Sequence, residues 1–180
     1  MKKFFSVVTM SVVGVALLAG CTTDGGAQSM PAPTITQPTE ESTNTMTSMD
    51  LSQYITISGA LGAEPQISAP KGNPPAELVF QDLAEGDGTA ALSSSTLTVH
   101  YKLLTWSDGK IADSSWTSGN PATFPLANVV KGWQEGLPGM KVGGRRLLIV
   151  PPSLGYGSAD YGPIKGNETL VFVVDLIDVK

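Results

Sequence analysis

Hydrophobic and polar positions alternate most cleanly over residues 96–104. Leu97, Val99, Tyr101 and Leu103 share one side, and Thr96, Thr98, His100 and Lys102 the other. A period of two is that of a strand buried on one face. Ser107-Asp108-Gly109-Lys110 follows, with the Asp-Gly pair of a hairpin turn at its centre. Residues 145–150 and 169–179 do not alternate. They are apolar almost throughout, the latter until Asp175, as expected of central strands covered on both sides. Ahead of both, the spacing becomes helical. Val129, Val130, Trp133 and Leu137 fall on one side of a short helix, with Asn128 placed to cap it and Gly136 and Pro138 placed to end it. Phe124 to Leu126 is short and extended, and Pro151-Pro152 stops the strand before the Tyr156–Gly166 loop. Upstream, residues 53–57, 65–68 and 77–83 read as short strands, the second confined to an edge by Pro65. Many strands and one short helix predict an α+β fold: a curled antiparallel sheet of five to six strands wrapped around that helix, with Trp133 between the two.

The N-terminal pattern differs. Lys2 and Lys3 precede an uncharged apolar run, Phe4 to Ala19, too short for a typical spanning helix and ending in small residues. This is the layout of a secretory leader. Leu18-Ala19-Gly20-Cys21 resembles the lipobox of bacterial lipoproteins, which implies that Cys21 receives a diacylglyceryl group and becomes the new N-terminus. Two acyl chains suffice for stable anchoring, where one is marginal. An ordinary leader with a chance cysteine, or an uncleaved membrane helix, would be the alternatives. The only cysteine in the chain stands where the motif demands it. The region 22–50 is rich in Thr, Ser, Pro, Gly and Gln and reads as a flexible spacer. The expected organisation is a leader over 1–20, a lipidated Cys and linker over 21–50, an extension over 51–75 packed on the domain, and the domain itself over 76–180.

Charge and composition narrow the chemistry. The net charge is −5, and without Lys2 and Lys3 the balance is 9 basic against 16 acidic residues. Such a chain repels phosphate, so nucleic acid is not an expected partner. One cysteine excludes an internal disulfide, and one cysteine with one histidine argues against a His/Cys metal site. Gly143-Gly144-Arg145-Arg146 lacks Walker spacing and reads as a tight turn into a strand. His100 lies on the polar side of its strand with no recognisable triad partner, so it reads as solvent-facing or structural. What is left is a small apolar pocket, suited to a neutral group such as a proline peptide bond.

The ordered motifs are VHY at 99–101, DGK at 108–110, DSSW at 113–116, VVKGWQEGLPGMKVGGRR at 129–146, GYG at 155–157 and TLVFVVDL at 169–176. Over roughly residues 76–180 the chain resembles the FKBP-type (macrolide-binding immunophilin) peptidyl-prolyl isomerases, and residues 51–70 look like an N-terminal extension of bacterial members. The resemblance implies a pocket floored by Trp133 and walled by Tyr101, Phe124, Val129, Val130 and Phe172. It implies Asp113 and Tyr156 as polar rim groups, Ile164 from the loop over the pocket, and the N–H groups of Ile164 and Val130 as donors to substrate or drug carbonyls. It also implies catalysis without cofactor or metal, on unfolded or proline-containing extracytoplasmic proteins, with macrolides such as tacrolimus or rapamycin as further ligands. Together with the lipobox it implies a monomer held to a bacterial membrane through Cys21. Bland readings stand beside these: Trp133, Tyr101, Phe124, Val129 and Val130 as plain core, and Asp113 as a cap for the turn at Ser114-Ser115. Ala112 and Ala122 stand where many members carry aromatic rings, and Leu154 where many carry Tyr. The rival functions are a weakly catalytic binding module of the same fold and a holdase chaperone.

Overall fold

A computed structural model describes residues 50–180. The leader, Cys21 and the spacer as far as residue 49 lie outside the described residues. Two short strands, β1 (Ile57–Ser58) and β2 (Gln66–Ile67), pair with each other. The main sheet contains β3 (Val79–Ala84), β4 (Thr96–Thr105), β5 (Ile111–Ser114), β6 (Ala122–Pro125), β7 (Arg145–Val150) and β8 (Leu170–Val179). Its order is β3-β7-β8-β4-β5, and every pairing is antiparallel. The start of β4 pairs with β6 and its later part with β5, while β8 runs along its other edge. β7 and β8 are therefore interior strands, as their unbroken apolar character requires. The helix α1 (Lys131–Gly136) packs on one face, so the α+β class with an antiparallel sheet around one short helix is what forms.

The helix sits close because two of its residues lack side chains. A Cβ at Gly132 would collide with Val150, and one at Gly136 would lie 2.5 Å from Leu148 Cδ2. Both partners belong to β7, whose residues are all buried. The end of α1 is capped by Arg146, whose Nη1 donates to the Gly136 carbonyl at 2.7 Å. The same guanidinium grips Asp82 through Nε and Nη2 at 2.6 and 2.8 Å and lies over the Phe80 ring. Asn128 does not cap α1. It closes a separate 3₁₀ turn, Leu126–Asn128, and the N-cap position is Val130, with no side-chain hydrogen bond.

The second face of the sheet is also covered. Leu51 and Ile55 pack on Leu104, Leu147, Ile149, Val171 and Val173. This corrects two expectations. Residues 53–57 are not a strand: Leu51–Gln53 forms a 3₁₀ turn capped by Asp50, and only Ile57–Ser58 is extended. Leu51 and Ile55, four apart, point into one cluster, a helical rather than alternating spacing. The polar face of β4 is likewise not simply solvated. Lys102 is buried, with Nζ 2.7 Å from Glu64 Oε1 and donating to the Pro65 carbonyl at 3.2 Å. Beside it Arg145 and Asp175 form a buried pair with contacts of 2.5 and 2.7 Å. Arg145 also donates to the carbonyls of Gly59 and Ala63.

Candidate functional site

Four elements each send one ring to a common point on the helix side of the sheet: Tyr101 from β4, Phe124 from β6, Phe172 from β8 and Trp133 from α1. The indole stands edge-on to all three, with centroid separations of 5.7 Å to Tyr101, 6.1 Å to Phe124 and 5.4 Å to Phe172. Edge-to-face contact is the arrangement aromatic quadrupoles favour. Trp133 is only 4% exposed, and its buried Nε1 has no hydrogen-bond partner among the described residues. These rings surround a cavity of about 310 Å³. Leu103, Val129, Val130, Asn128, Asp113, Tyr156 and Tyr161 complete its lining.

Among the described residues Asp113 is the only carboxylate or cation in that lining. Its Oδ2 accepts from the Tyr101 hydroxyl at 2.5 Å, and its Oδ1 accepts from the Ser114 N–H at 2.8 Å. The 3₁₀ turn Ser115–Ser118 is capped not by Asp113 but by Ser114, whose Oγ accepts from the Trp116 N–H at 3.3 Å. Burial pushes the Tyr101 phenol well above its ordinary pKa, and the hydrogen bond to Asp113 and its charge add to the shift. Tyr156 is also raised, first by burial and then by Tyr161 and Asp113. Both phenols are therefore neutral hydrogen-bonding groups at pH 7. Gln134 holds the approach to the helix, donating to the Val129 carbonyl at 2.7 Å.

The structure brings Tyr101, Asp113, Phe124, Val129, Val130, Trp133, Tyr156 and Phe172 around one opening. Ile164 is placed otherwise than expected. Its side chain is buried in the core, outside the lining, and its N–H already donates to the Tyr161 carbonyl at 2.9 Å. The Gly162-Pro163 turn folds the loop onto itself, and this bridge consumes the donor. The Val130 N–H, just before α1, has no backbone acceptor among the described residues. Leu103, Asn128 and Tyr161 were not among the expected site residues. Leu103 was legible in the alternation with Tyr101, and Tyr161 in the repeated Tyr-Gly of the loop. His100 lies away from the cavity, stacked on Trp116 at 4.0 Å, with Nδ1 2.9 Å from Ser115 Oγ. Among the described residues no cluster of three or more His, Cys, Asp or Glu side chains is placed to hold a metal.

Residues 88–177 match the family described as FKBP-type peptidyl-prolyl cis-trans isomerase. This chain belongs to that family. It is 46% identical over 120 residues to an FK506-binding protein of Streptomyces anulatus, a match covering 64% of this chain and 97% of the relative. It is 48% identical over 103 residues to the FKBP-type isomerase FkpA of Escherichia coli strain K12, covering 57% of this chain and 38% of FkpA. The crystal structure of Escherichia coli FkpA superposes with a TM-score of 0.55 at 46% identity, over 57% of this chain and 48% of that one. That of AtFKBP13 gives 0.54 at 32% identity, over 59% of this chain and 96% of that one. The FKBP-type chain described here is accordingly a peptidyl-prolyl cis-trans isomerase, a rotamase.

Proposed function

We propose that this FKBP-type isomerase works by holding the twisted form of an X–Pro bond in the aromatic cavity. Trp133 forms the floor beneath the proline ring, and Tyr101, Phe124, Val129, Val130 and Phe172 form the walls. The observation that carries the reading is a cavity lined by six aromatic side chains, whose one acidic neighbour among the described residues, Asp113, is already engaged by the Tyr101 hydroxyl. A planar peptide bond resists rotation by about 18–20 kcal/mol because resonance moves charge from nitrogen to oxygen. For X–Pro the two planar forms are close in energy, yet they exchange over tens to hundreds of seconds. A quarter turn abolishes the resonance and makes the amide less polar. An apolar cavity therefore favours the twisted form relative to the planar one, which is selective binding of the transition state. Each 1.36 kcal/mol of selectivity is worth about tenfold in rate. The Tyr156 hydroxyl and the Val130 N–H supply donors for the flanking carbonyls, and Asp113 biases their orientation. Ile164 contributes through the loop it anchors.

The leader pattern and Cys21 support an extracytoplasmic, lipid-anchored enzyme acting on unfolded or proline-containing secreted and envelope proteins, as a monomer. The carbon-rich cavity also suits macrolides such as tacrolimus or rapamycin. In this reading 1–20 is removed, 21–50 tethers, and 51–75 braces the isomerase domain at 76–180. Labelled palmitate fed to cells making the full chain is expected to appear on the protein and to vanish in Cys21→Ser. Label retained by that variant would place any acyl group elsewhere.

The isomerase assignment of the cavity is tested by a protease-coupled proline-peptide assay on the full chain in detergent. Weak but measurable catalysis is expected, falling about ten- to a hundredfold in Asp113→Leu, the loss of a charge-assisted hydrogen bond. Ala112 and Ala122, which leave the wall two rings short of many family members, favour a second reading as a binding module. A rate equal to the blank with tacrolimus still bound would establish that reading. Suppression of aggregation by Phe124→Ala, inactive on proline peptides, would instead establish a holdase.

A further inference from the structure

Tyr156 reaches the rim of the cavity from a loop, and among the described residues no side-chain hydrogen bond holds its hydroxyl. A half-buried phenol with two free torsions turns away readily unless its ring is held. The contact that holds it is Tyr161. The two rings are parallel within 5°, with centroids 4.3 Å apart. Tyr161 is 60% exposed and adds little to the core, so packing alone does not account for an aromatic ring there. Its own position is fixed by reciprocal main-chain hydrogen bonds with Ile164, 2.8 Å from the Tyr161 N–H and 2.9 Å from the Ile164 N–H. Ile164 is 4% exposed and embedded in the main core. The base of the loop is tied by the Gly166 N–H donating to Asp160 Oδ1 at 2.8 Å and the Asn167 N–H donating to the Gly157 carbonyl at 2.8 Å.

We infer that Tyr161 is a positioning residue for the isomerase reaction: stacked on Tyr156 and pinned to the core through Ile164, it keeps the Tyr156 hydroxyl aimed into the cavity. The bridge that removes Ile164 as a substrate donor thereby acquires a use, since it holds the side chain that orients the remaining donor on the loop. This rests on the reading of Tyr156 as a donor to a substrate carbonyl.

The test compares kcat/KM for proline peptides across full-chain variants. Tyr156→Phe, Tyr161→Ala and Tyr161→Leu should each lose about three- to tenfold, the range of one neutral hydrogen bond. Tyr161→Phe keeps a flat ring and should retain activity. The double variant Tyr156→Phe/Tyr161→Ala should be no worse than either single one, because both remove the same interaction. In NMR spectra the Tyr156 ring protons should lose their ring-current shift in Tyr161→Ala and keep it in Tyr161→Phe, with the melting midpoint unmoved in both. Full activity of Tyr161→Ala beside an impaired Tyr156→Phe would overturn the inference and leave the donor role of Tyr156 standing. Full activity of Tyr156→Phe would remove both. Losses that multiply in the double variant would make Tyr161 a direct substrate contact and equally overturn the positioning role.

Discussion

At position 101 a phenol is packed against the Trp133 indole and donates a hydrogen bond to the Asp113 carboxylate. Folding thereby favours its neutral form. Its pKa in the folded chain lies above the unfolded value of about 10, so its contribution to stability is intact below about pH 10 and drains away as pH climbs through the folded value. Tyr101→Phe should flatten this alkaline limb in melts taken across pH. Asp113→Asn should lower the Tyr101 pKa only in part, because burial is the first cause of the shift and remains. A tyrosine titration in which Asp113→Asn restored an ordinary value would show the carboxylate, not burial, to be in control. Ala112, half-buried against the core, marks another residue-scale gap. Ala112→Phe should raise kcat/KM about two- to tenfold, the worth of one added aromatic contact, and an unchanged rate would discard the missing-wall idea. At this scale the rings of the cavity were readable by family position. The occupied N–H of Ile164 was not, because it depends on how a loop pairs with itself.

Among the elements, α1 illustrates a placement set by absence. Gly132 and Gly136 let the backbone of a six-residue helix rest on Val150 and Leu148 and so bring Trp133 over the sheet. Gly132→Ala should cost about 1–3 kcal/mol, the range for overpacking a core. Val150 is fully buried and β-branched, with little freedom to move aside. Denaturant unfolding of Gly132→Ala, Val150→Ala and their combination checks this. The combination should be less destabilised than the sum of the two, whereas simple additivity would mean that the helix does not bear on Val150. The sequence pattern located this helix through Trp133 and Leu137, and β4 through its alternation, because both signals are local periods. It placed the cap at Asn128 and a strand at 53–57 wrongly, since those outcomes turned on tertiary contacts: Asn128 lies in a preceding 3₁₀ turn, and Leu51 and Ile55 answer to the far face of the sheet.

Across the whole molecule, the sheet separates two burials with different tasks. One face carries the helix and the cavity, and the other is sealed by residues around Leu51 and Ile55 and by the Gly59–Ala63 segment clasped to Arg145. The second arrangement explains why Lys102, Arg145 and Asp175 are buried on positions that a strand pattern assigns to solvent or leaves ambiguous. A buried pair loses about 3–5 kcal/mol when one partner is removed, because the other charge is stranded. Arg145→Met alone should therefore be strongly destabilising. Adding Asp175→Leu should recover most of that loss, since a well-packed apolar pair often equals a buried ionic one. The double variant still lacks the donor that holds the Gly59 and Ala63 carbonyls, so amide exchange in the Gly59–Ala63 segment should remain fast even where global stability has returned. Because the clasp and the cavity lie on opposite faces of rigid interior strands, proline-peptide kcat/KM of that double variant should stay within about twofold of wild type. A larger fall at restored stability would mean that the N-terminal clasp sets the shape of the cavity through β8, where Phe172 and Asp175 are three residues apart on one strand, and the two faces would have to be treated as one mechanical unit.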